Sequence, residues 1–249
     1  MKLLISPLIF ILLFSSAMIY STEVEGMSGS ELLKKAQRRY NFKDSYELEI
    51  ENIIHSDKGK NIARLKVYLK ECGKKQLAVF QKPEKMKGDK YLVVDNNTWM
   101  HQEGLIRAIR ISASQKLFGD AGIAETVGID YYSEYELEGL KKEAELYILS
   151  LQAKSKDEAY QKVEAHISSD GYFKKTILKD ISGTELKEIS YRNYRKIGEH
   201  EVADLIIKSL LQNKGQKTEI RYIDIKKRDF SAGMFQADKL NNLELFLRN

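Results

Sequence analysis

Cysteine occurs once in this chain, at Cys72. A single thiol cannot close an internal disulfide. No cysteine follows the N-terminal apolar run, where a lipid-anchoring signal would need one. Cys72 therefore reads as a strand-end residue and not as a reactive thiol. Proline is almost as scarce, with Pro7 and Pro83 alone. With no low-complexity linker and no internal repeat, residues 22–249 read as a single domain. The four histidines, His55, His101, His166 and His200, each lie in or beside a different strand or turn. None forms a His-x-His or His-Glu-x-x-His pattern, so no metal site is expected. There is no Gly-x-Ser-x-Gly elbow and no phosphate loop, so the residues point to no enzyme and no cofactor. Charge of one sign is also missing: 41 Lys and Arg face 36 Asp and Glu. That mild positive excess argues against a nucleic-acid partner. It suits a solvated surface that visits anionic membranes.

What is present begins at the N-terminus. Lys2 precedes an apolar run from Leu3 to Phe14, and the small residues Ser15, Ser16 and Ala17 follow. This is the order and size of a secretory signal peptide. The run contains Pro7 and falls short of the roughly 20 apolar residues that a spanning helix needs. Residues 1–21 are thus expected to be removed, with a mature start between Met18 and Glu23. The mature protein is expected to be soluble and monomeric in the periplasm.

Ser28 and Glu31 have capping-box spacing. Leu32, Ala36 and Tyr40, with Leu33 beside them, mark one apolar helix face. Strand patterns follow. Tyr46, Leu48 and Ile50 alternate with Glu47, Glu49 and Glu51. Ala63, Leu65, Val67 and Leu69 alternate with Arg64, Lys66, Tyr68 and Lys70. Ser56-Asp57-Lys58-Gly59 reads as the turn between them. Opposite charges then face each other across one outer surface, and both inner faces are apolar. Further strands read at 75–80, 90–94, 98–101, 106–111, 135–140, 145–152, 162–168, 173–179, 186–194, 203–211 and 218–226. Asp95-Asn96-Asn97, Asp170-Gly171 and Lys214-Gly215 serve as turns. Gly119 to Tyr132 breaks the pattern as a loop with short helical pieces, and Phe235 to Phe246 reads as a closing short helix. The fold class is mainly β, a long antiparallel meander. Such a sheet must curl or pair to bury its apolar face.

One stretch carries more specific information. Val79-Phe80-Gln81-Lys82-Pro83 is followed by Lys87-Gly88, Tyr91-Leu92, Trp99-Met100, Arg107 and Arg110-Ile111. In order and spacing this resembles the outer-membrane lipoprotein-sorting proteins related to LolA and LolB. Asp157 to Ile167 resembles the family strand in which a tyrosine precedes Lys-Val. Gly215 to Asp224 resembles its late Gly-x-x-Thr strand, and Phe235 to Leu240 its terminal Phe-x-x-x-x-Leu. Two departures stand out. Gln102-Glu103-Gly104 replaces the proline turn after the tryptophan strand. Gly119-Asp120 and Gly128-Ile129-Asp130-Tyr131-Tyr132, with an insertion, replace the family's Gly-Ser-Asp-Phe-Ser-Tyr segment.

The resemblance implies an open, strongly curved antiparallel half-barrel, with helices over its concave face and a hydrophobic cavity between. The ligands implied are the acyl chains of lipoproteins or lipids, and the partner an inner-membrane transporter. Leu65, Val67, Val79, Leu92, Val94, Trp99 and Ile111 are the expected cavity wall. Gly119 to Gly128 is the expected lid, with Ile123 and Val127 as covering side chains. An inward Arg107 or Arg110 could bond helix-end carbonyls and hold such a lid. Two functional classes stand at this point, the first as the reading and the second as its alternative. One is a carrier that ferries lipoproteins or lipids toward the outer membrane. The other is a non-transporting module of the same fold that senses lipids or stress and binds a membrane partner.

Overall fold

A computed structural model describes residues 23–24, 27–38, 42, 44–94, 97–212 and 215–247. The expected signal segment 1–21 lies outside these residues, as do Arg39, Tyr40, Asp95, Asn96 and Lys214. The described chain opens with a two-residue ladder, β1 (Glu23–Val24) with β2 (Met27–Ser28), and then α1 (Gly29–Gln37). The capping box is formed in both directions. Glu31 N–H donates to Ser28 Oγ at 3.2 Å, and Ser28 N–H donates to Glu31 Oε2 at 2.8 Å. These bonds satisfy donors that no helical carbonyl can reach. Leu32, Leu33 and Ala36 are buried against the sheet. Gly29 allows that approach, since a Cβ there would come 2.8 Å from Leu137 Cδ2.

The strands form two meanders. The first is β3 (Tyr46–Ser56), β4 (Gly59–Lys70), β5 (Lys75–Lys82), β6 (Lys90–Val94), β7 (Asn97–His101) and β8 (Ile109–Ile111). The second is β11 (Tyr135–Glu143), β12 (Leu146–Ala153), β13 (Lys162–Ser168), β14 (Phe173–Lys179), β15 (Glu185–Ile197), β16 (His200–Ser209) and β17 (Lys217–Lys227). Between them run β9 (Lys116–Phe118), β10 (Ala121–Gly122), α2 (Ile123–Val127) and α3 (Tyr131–Glu134). Antiparallel pairing of β17 with β3, Tyr222 opposite Ile50 and Ile220 opposite Asn52, joins the meanders into one 13-stranded sheet. Among the described residues the terminal strands β8 and β11 do not pair with each other. The sheet is therefore open, and the mainly-β half-barrel expectation holds.

Strand centres follow the alternation closely, though β3 runs past the expected Glu51 to Ser56 and β4 starts at Gly59, before the expected Ala63. Three further differences stand out. Only Ile109–Ile111 of the expected 106–111 strand joins the sheet, and Ile106 stands almost fully exposed in the loop before it. β16 ends at Ser209, leaving Leu210 and Leu211 outside. The C-terminus is two 3-10 turns, Ala232–Phe235 and Ala237–Asn242, and then α4 (Glu244–Leu247).

The sheet is covered on its inner face and, over β4–β7, on its outer face as well. The inner face, with α1, α2 and α3, carries the larger core, including Leu48, Ile50, Leu65, Val67, Phe80, Tyr91, Leu149 and Ile220. The outer face of β4–β7 carries a second core: Tyr68, Leu77, Val79 and Leu92 under Met234, Phe235, Leu240 and Leu243 of the C-terminal strap. This divides the expected cavity wall. Leu65, Val67 and Ile111 face inward, whereas Val79, Leu92, Val94 and Trp99 belong to the outer cluster. The reason is register. Leu65 pairs with Phe80 and Val67 with Ala78, so Val79, opposite Lys66, points the other way. Leu77, Ala78, Val79 and Phe80 are all buried. A strand covered on both sides has no polar alternation to reveal which face is which.

Candidate functional site: the plugged interior

Among the described residues, the voids beside α2 on the inner face are small. That face is filled by the glycine-bearing stretch that the sequence marks as a lid. That stretch enters through Gly119, at φ +64°, where a Cβ would collide with Thr218 Oγ1 and Ile54 Cγ1. Only glycine takes this backbone conformation and this proximity without strain. Asp120 N–H then donates to Thr218 Oγ1 at 2.8 Å, and Lys116 Nζ lies 3.6 Å from the buried Asp120 carboxylate. Ala121 and Ile123 are fully buried, and Ala124 and Val127 pack on the inner core. Gly128, at φ +100°, ends α2. Asp130 Oδ1 opens α3 by accepting from Tyr132 N–H at 3.1 Å and Ser133 N–H at 3.0 Å. The segment is thus a plug inside the half-barrel and not a cover across its mouth.

A buried ionic anchor holds α2. The Glu125 side chain has no exposed surface. Lys187 Nζ of β15 donates to its Oε1 at 2.8 Å, and Tyr160 Oη donates to the same oxygen. Gly122 N–H donates to Oε2 at 2.6 Å. Lys187 Nζ also lies 5.6 Å from the Tyr160 ring centroid. Burial and the facing carboxylate push the Tyr160 phenol far above its ordinary range, so Tyr160 serves as a fixed donor. Elsewhere Asn52 Nδ2 donates to Thr126 Oγ1 at 3.4 Å. Gln37 of α1 clamps the link to α3: its Nε2 donates to Ile129 O at 3.2 Å and its Oε1 accepts from Tyr131 N–H at 3.1 Å. Tyr131 Oη, Thr176 Oγ1 and Tyr191 Oη form a buried hydroxyl cluster with separations of 3.3–3.4 Å.

Two small voids flank α2. One, of about 60 Å³, lies between it and Val93, Thr98 and Tyr135, with Glu134, Asp157 and Glu158 at its mouth. Burial, and then the neighbouring Glu158 and Asp130 charges, raise the Glu134 carboxyl to about 8. The other, of about 40 Å³, is lined by Phe42, Ile129, Tyr131, Phe173, Tyr191 and Tyr222. Ligand pockets hold roughly 300–1,000 Å³, and neither void alone reaches that size.

Arg107 and Arg110 are exposed, and neither holds the plug. The cation that does is Lys187, which the sequence reading passed over. Its signal was available: Lys187, Ile189 and Tyr191 share the buried phase of β15, so the lysine stands where an apolar residue is expected. Glu125, an isolated acid within Ile-Ala-Glu-Thr-Val, is its counterpart. Among the described residues no group of His, Cys, Asp and Glu is arranged to hold a metal ion.

The open antiparallel half-barrel with helical segments packed into its inner face is similar in fold to solved structures of the LolA superfamily. A LolA superfamily protein of Nitrosomonas europaea superposes with a TM-score of 0.74 at 21% identity, over 84% of this chain and 97% of that one. A putative outer membrane lipoprotein-sorting protein domain of Vibrio parahaemolyticus gives 0.69 at 17% identity, over 85% and 97%. A DUF1329 family protein of Desulfovibrio piger gives 0.68 at 22% identity, over the same shares. At sequence level a family model described as "-like: Uncharacterized protein" matches residues 73–242, and the chain belongs to that family. No protein of curated function matches it.

Proposed function

We propose that this chain is an exported, single-domain, non-enzymatic carrier. It takes the acyl chains of lipoproteins or lipids into the inner chamber for transport toward the outer membrane. The observation that carries this reading is the arrangement around α2. Two aromatic- and aliphatic-lined voids are separated by one short, polar-anchored segment, and its withdrawal would merge them into a continuous apolar groove. The chemistry gives a reason for such a chamber. Each CH2 held away from water is worth about 0.8 kcal/mol, so a two- or three-chain anchor faces tens of kcal/mol of exposure in an unshielded crossing. In this reading residues 1–21 are the cleaved signal peptide, and Leu65, Val67 and Ile111 contribute to the wall. Ile123 and Val127 are the apolar side chains that leave when ligand enters.

Native mass spectrometry of the protein recovered from the periplasm tests this. A mass increment of an acylated peptide or lipid, lost on delipidation, is the expected result. A chain that carries no acyl ligand and stays in a fixed complex with a membrane protein would instead mark the sensing module of the same fold.

A further inference from the structure

Three neighbouring hairpin tips at one end of the sheet share an unusual surface. They are the β14–β15 turn (180–184), the β16–β17 loop from Leu210 onward, and the β3–β4 turn at Asp57 and Lys58. Register makes them neighbours. Lys179 pairs with Glu185, Lys187 with Ser209, and Lys217 with His55. Leu210 N–H also donates to Leu186 O at 2.9 Å, which fixes the start of the second tip against β15. On these tips Ile181, Leu210 and Leu211 are 64, 41 and 61% exposed. An exposed apolar side chain alone is ordinary, but three on adjacent tips form a patch.

Around the patch, lysines without an ion pair outnumber acids without one by four to three. Lys58, Lys60, Lys208 and Lys217 surround it, and among the described residues none has an ion-pair partner. Of the local acids, Asp57 and Glu188 also lack an ion-pair partner among the described residues, and Asp180 meets only neutral donors; the others are paired. Glu185 pairs with Lys179, and Glu219 with His55 and Arg221. Asp180 closes its own turn by accepting from Thr184 N–H at 2.9 Å and Ser182 Oγ at 2.6 Å. Apolar side chains projecting singly from loops and rimmed by unpaired lysines match a bilayer interface. The aliphatic groups enter the headgroup boundary and the ammonium groups meet lipid phosphates. A protein-docking patch would instead be contiguous and centred on aromatic or arginine anchors.

We infer that these three tips dock the protein on an anionic phospholipid bilayer, with Ile181, Leu210 and Leu211 inserted and the four lysines on the headgroups. This surface is separate from the inner chamber, so its test needs no acylated ligand and stands whether or not the carrier reading does. The full mature chain is sedimented with vesicles of phosphatidylglycerol and phosphatidylethanolamine, and separately with phosphatidylcholine alone. Binding to the anionic vesicles only, weakened by salt, is expected. The I181S/L210S/L211S variant should bind at least about tenfold more weakly, and each lysine reversed in K58E/K60E/K208E/K217E should cost about fivefold. Both sets are exposed, and circular dichroism should match the parent. Equal binding to both vesicle types, or anionic binding unchanged in both variants, would overturn the inference. So would loss of a co-purifying protein with vesicle binding intact, which would reassign the tips to a protein partner.

Discussion

The two faces of the sheet bury apolar surface in different ways. Under the C-terminal strap the outer core is built from large side chains. Met234, Phe235, Leu240 and Leu243 sit on Tyr68, Leu77, Val79 and Leu92. Phe230 makes edge contacts with Tyr68 at 5.4 Å and with Phe235 at 6.4 Å. On the inner face the plug offers only Ala121, Ile123, Ala124 and Val127, and is positioned by Glu125, Thr126, Asp120 and the Gln37 clamp. At about 25 cal/mol per Å² of apolar area, the strap has far more to lose on leaving than the plug. The polar anchors fix the plug's position sharply, yet in an opened state water can satisfy them together. In the carrier reading proposed above, one face stays covered and the other is uncovered when ligand enters.

The largest effect should come from splitting the buried ion pair. Removing one partner leaves the other charged and unpaired in the interior, at a cost of about 3–5 kcal/mol. Glu125→Gln and Lys187→Met should each lower urea stability by that order. The double variant E125L/K187M should recover only the part of the loss due to the unpaired charge, since Tyr160 Oη and Gly122 N–H still lack their acceptor. Because E125L/K187M also removes the polar route to opening, it should load acyl ligand poorly. A double variant as unstable as the sum of the singles would contradict the pairing.

On the outer face Phe235→Ala should cost about 3–5 kcal/mol through lost contact and cavity formation. It should also red-shift the emission of Trp99, which packs on that cluster. Binding of an acylated peptide to the parent should leave Trp99 emission unchanged. A ligand-dependent shift would place Trp99 on the wrong face here. Smaller again is Gly119→Ala. Strain at φ +64°, with the collision against Thr218 and Ile54, should cost about 1–3 kcal/mol, whereas Gly183→Ala, with nothing near its Cβ, carries only the backbone strain of φ +92°.

The smallest effect is pH-dependent and belongs to the inner mouth. Glu134 is raised from 4.5 to about 8 in the folded protein. The unfolded chain therefore releases this proton first, and stability falls as pH rises between about 4.5 and 8. Glu134→Gln removes that loss. The variant should match the parent at pH 4 and exceed it at pH 8 by on the order of 1–2 kcal/mol, once water at the mouth is allowed for. Thermal melts across that range check it, and parallel curves would contradict the assignment.

Most strands were legible because alternation survives wherever one face meets water, as in β3 and β4 with their acidic and basic outer rows. The face assignment failed in β5 and β6, where both sides are buried and adjacent residues such as Tyr91 and Leu92 are equally covered. The strap explains this: Phe235 to Phe246 reads as a terminal helix, and nothing local says that it lies over the outside of the sheet. The segment that packs into the inner face was legible from Gly119 and Gly128, whose turns are local. Its anchor was not, because Lys187 is 62 residues from Glu125, and only an ion in the apolar phase of β15 hinted at it.

The contrast between a permanent outer cover and a displaceable inner plug is tested most directly by hydrogen exchange with and without a saturating acylated peptide. Amides of 121–134 should exchange at least tenfold faster in the loaded protein, while those of 232–247 keep their protection. Loaded protein with unchanged exchange across 121–134, or with the strap opening in its place, would contradict the account.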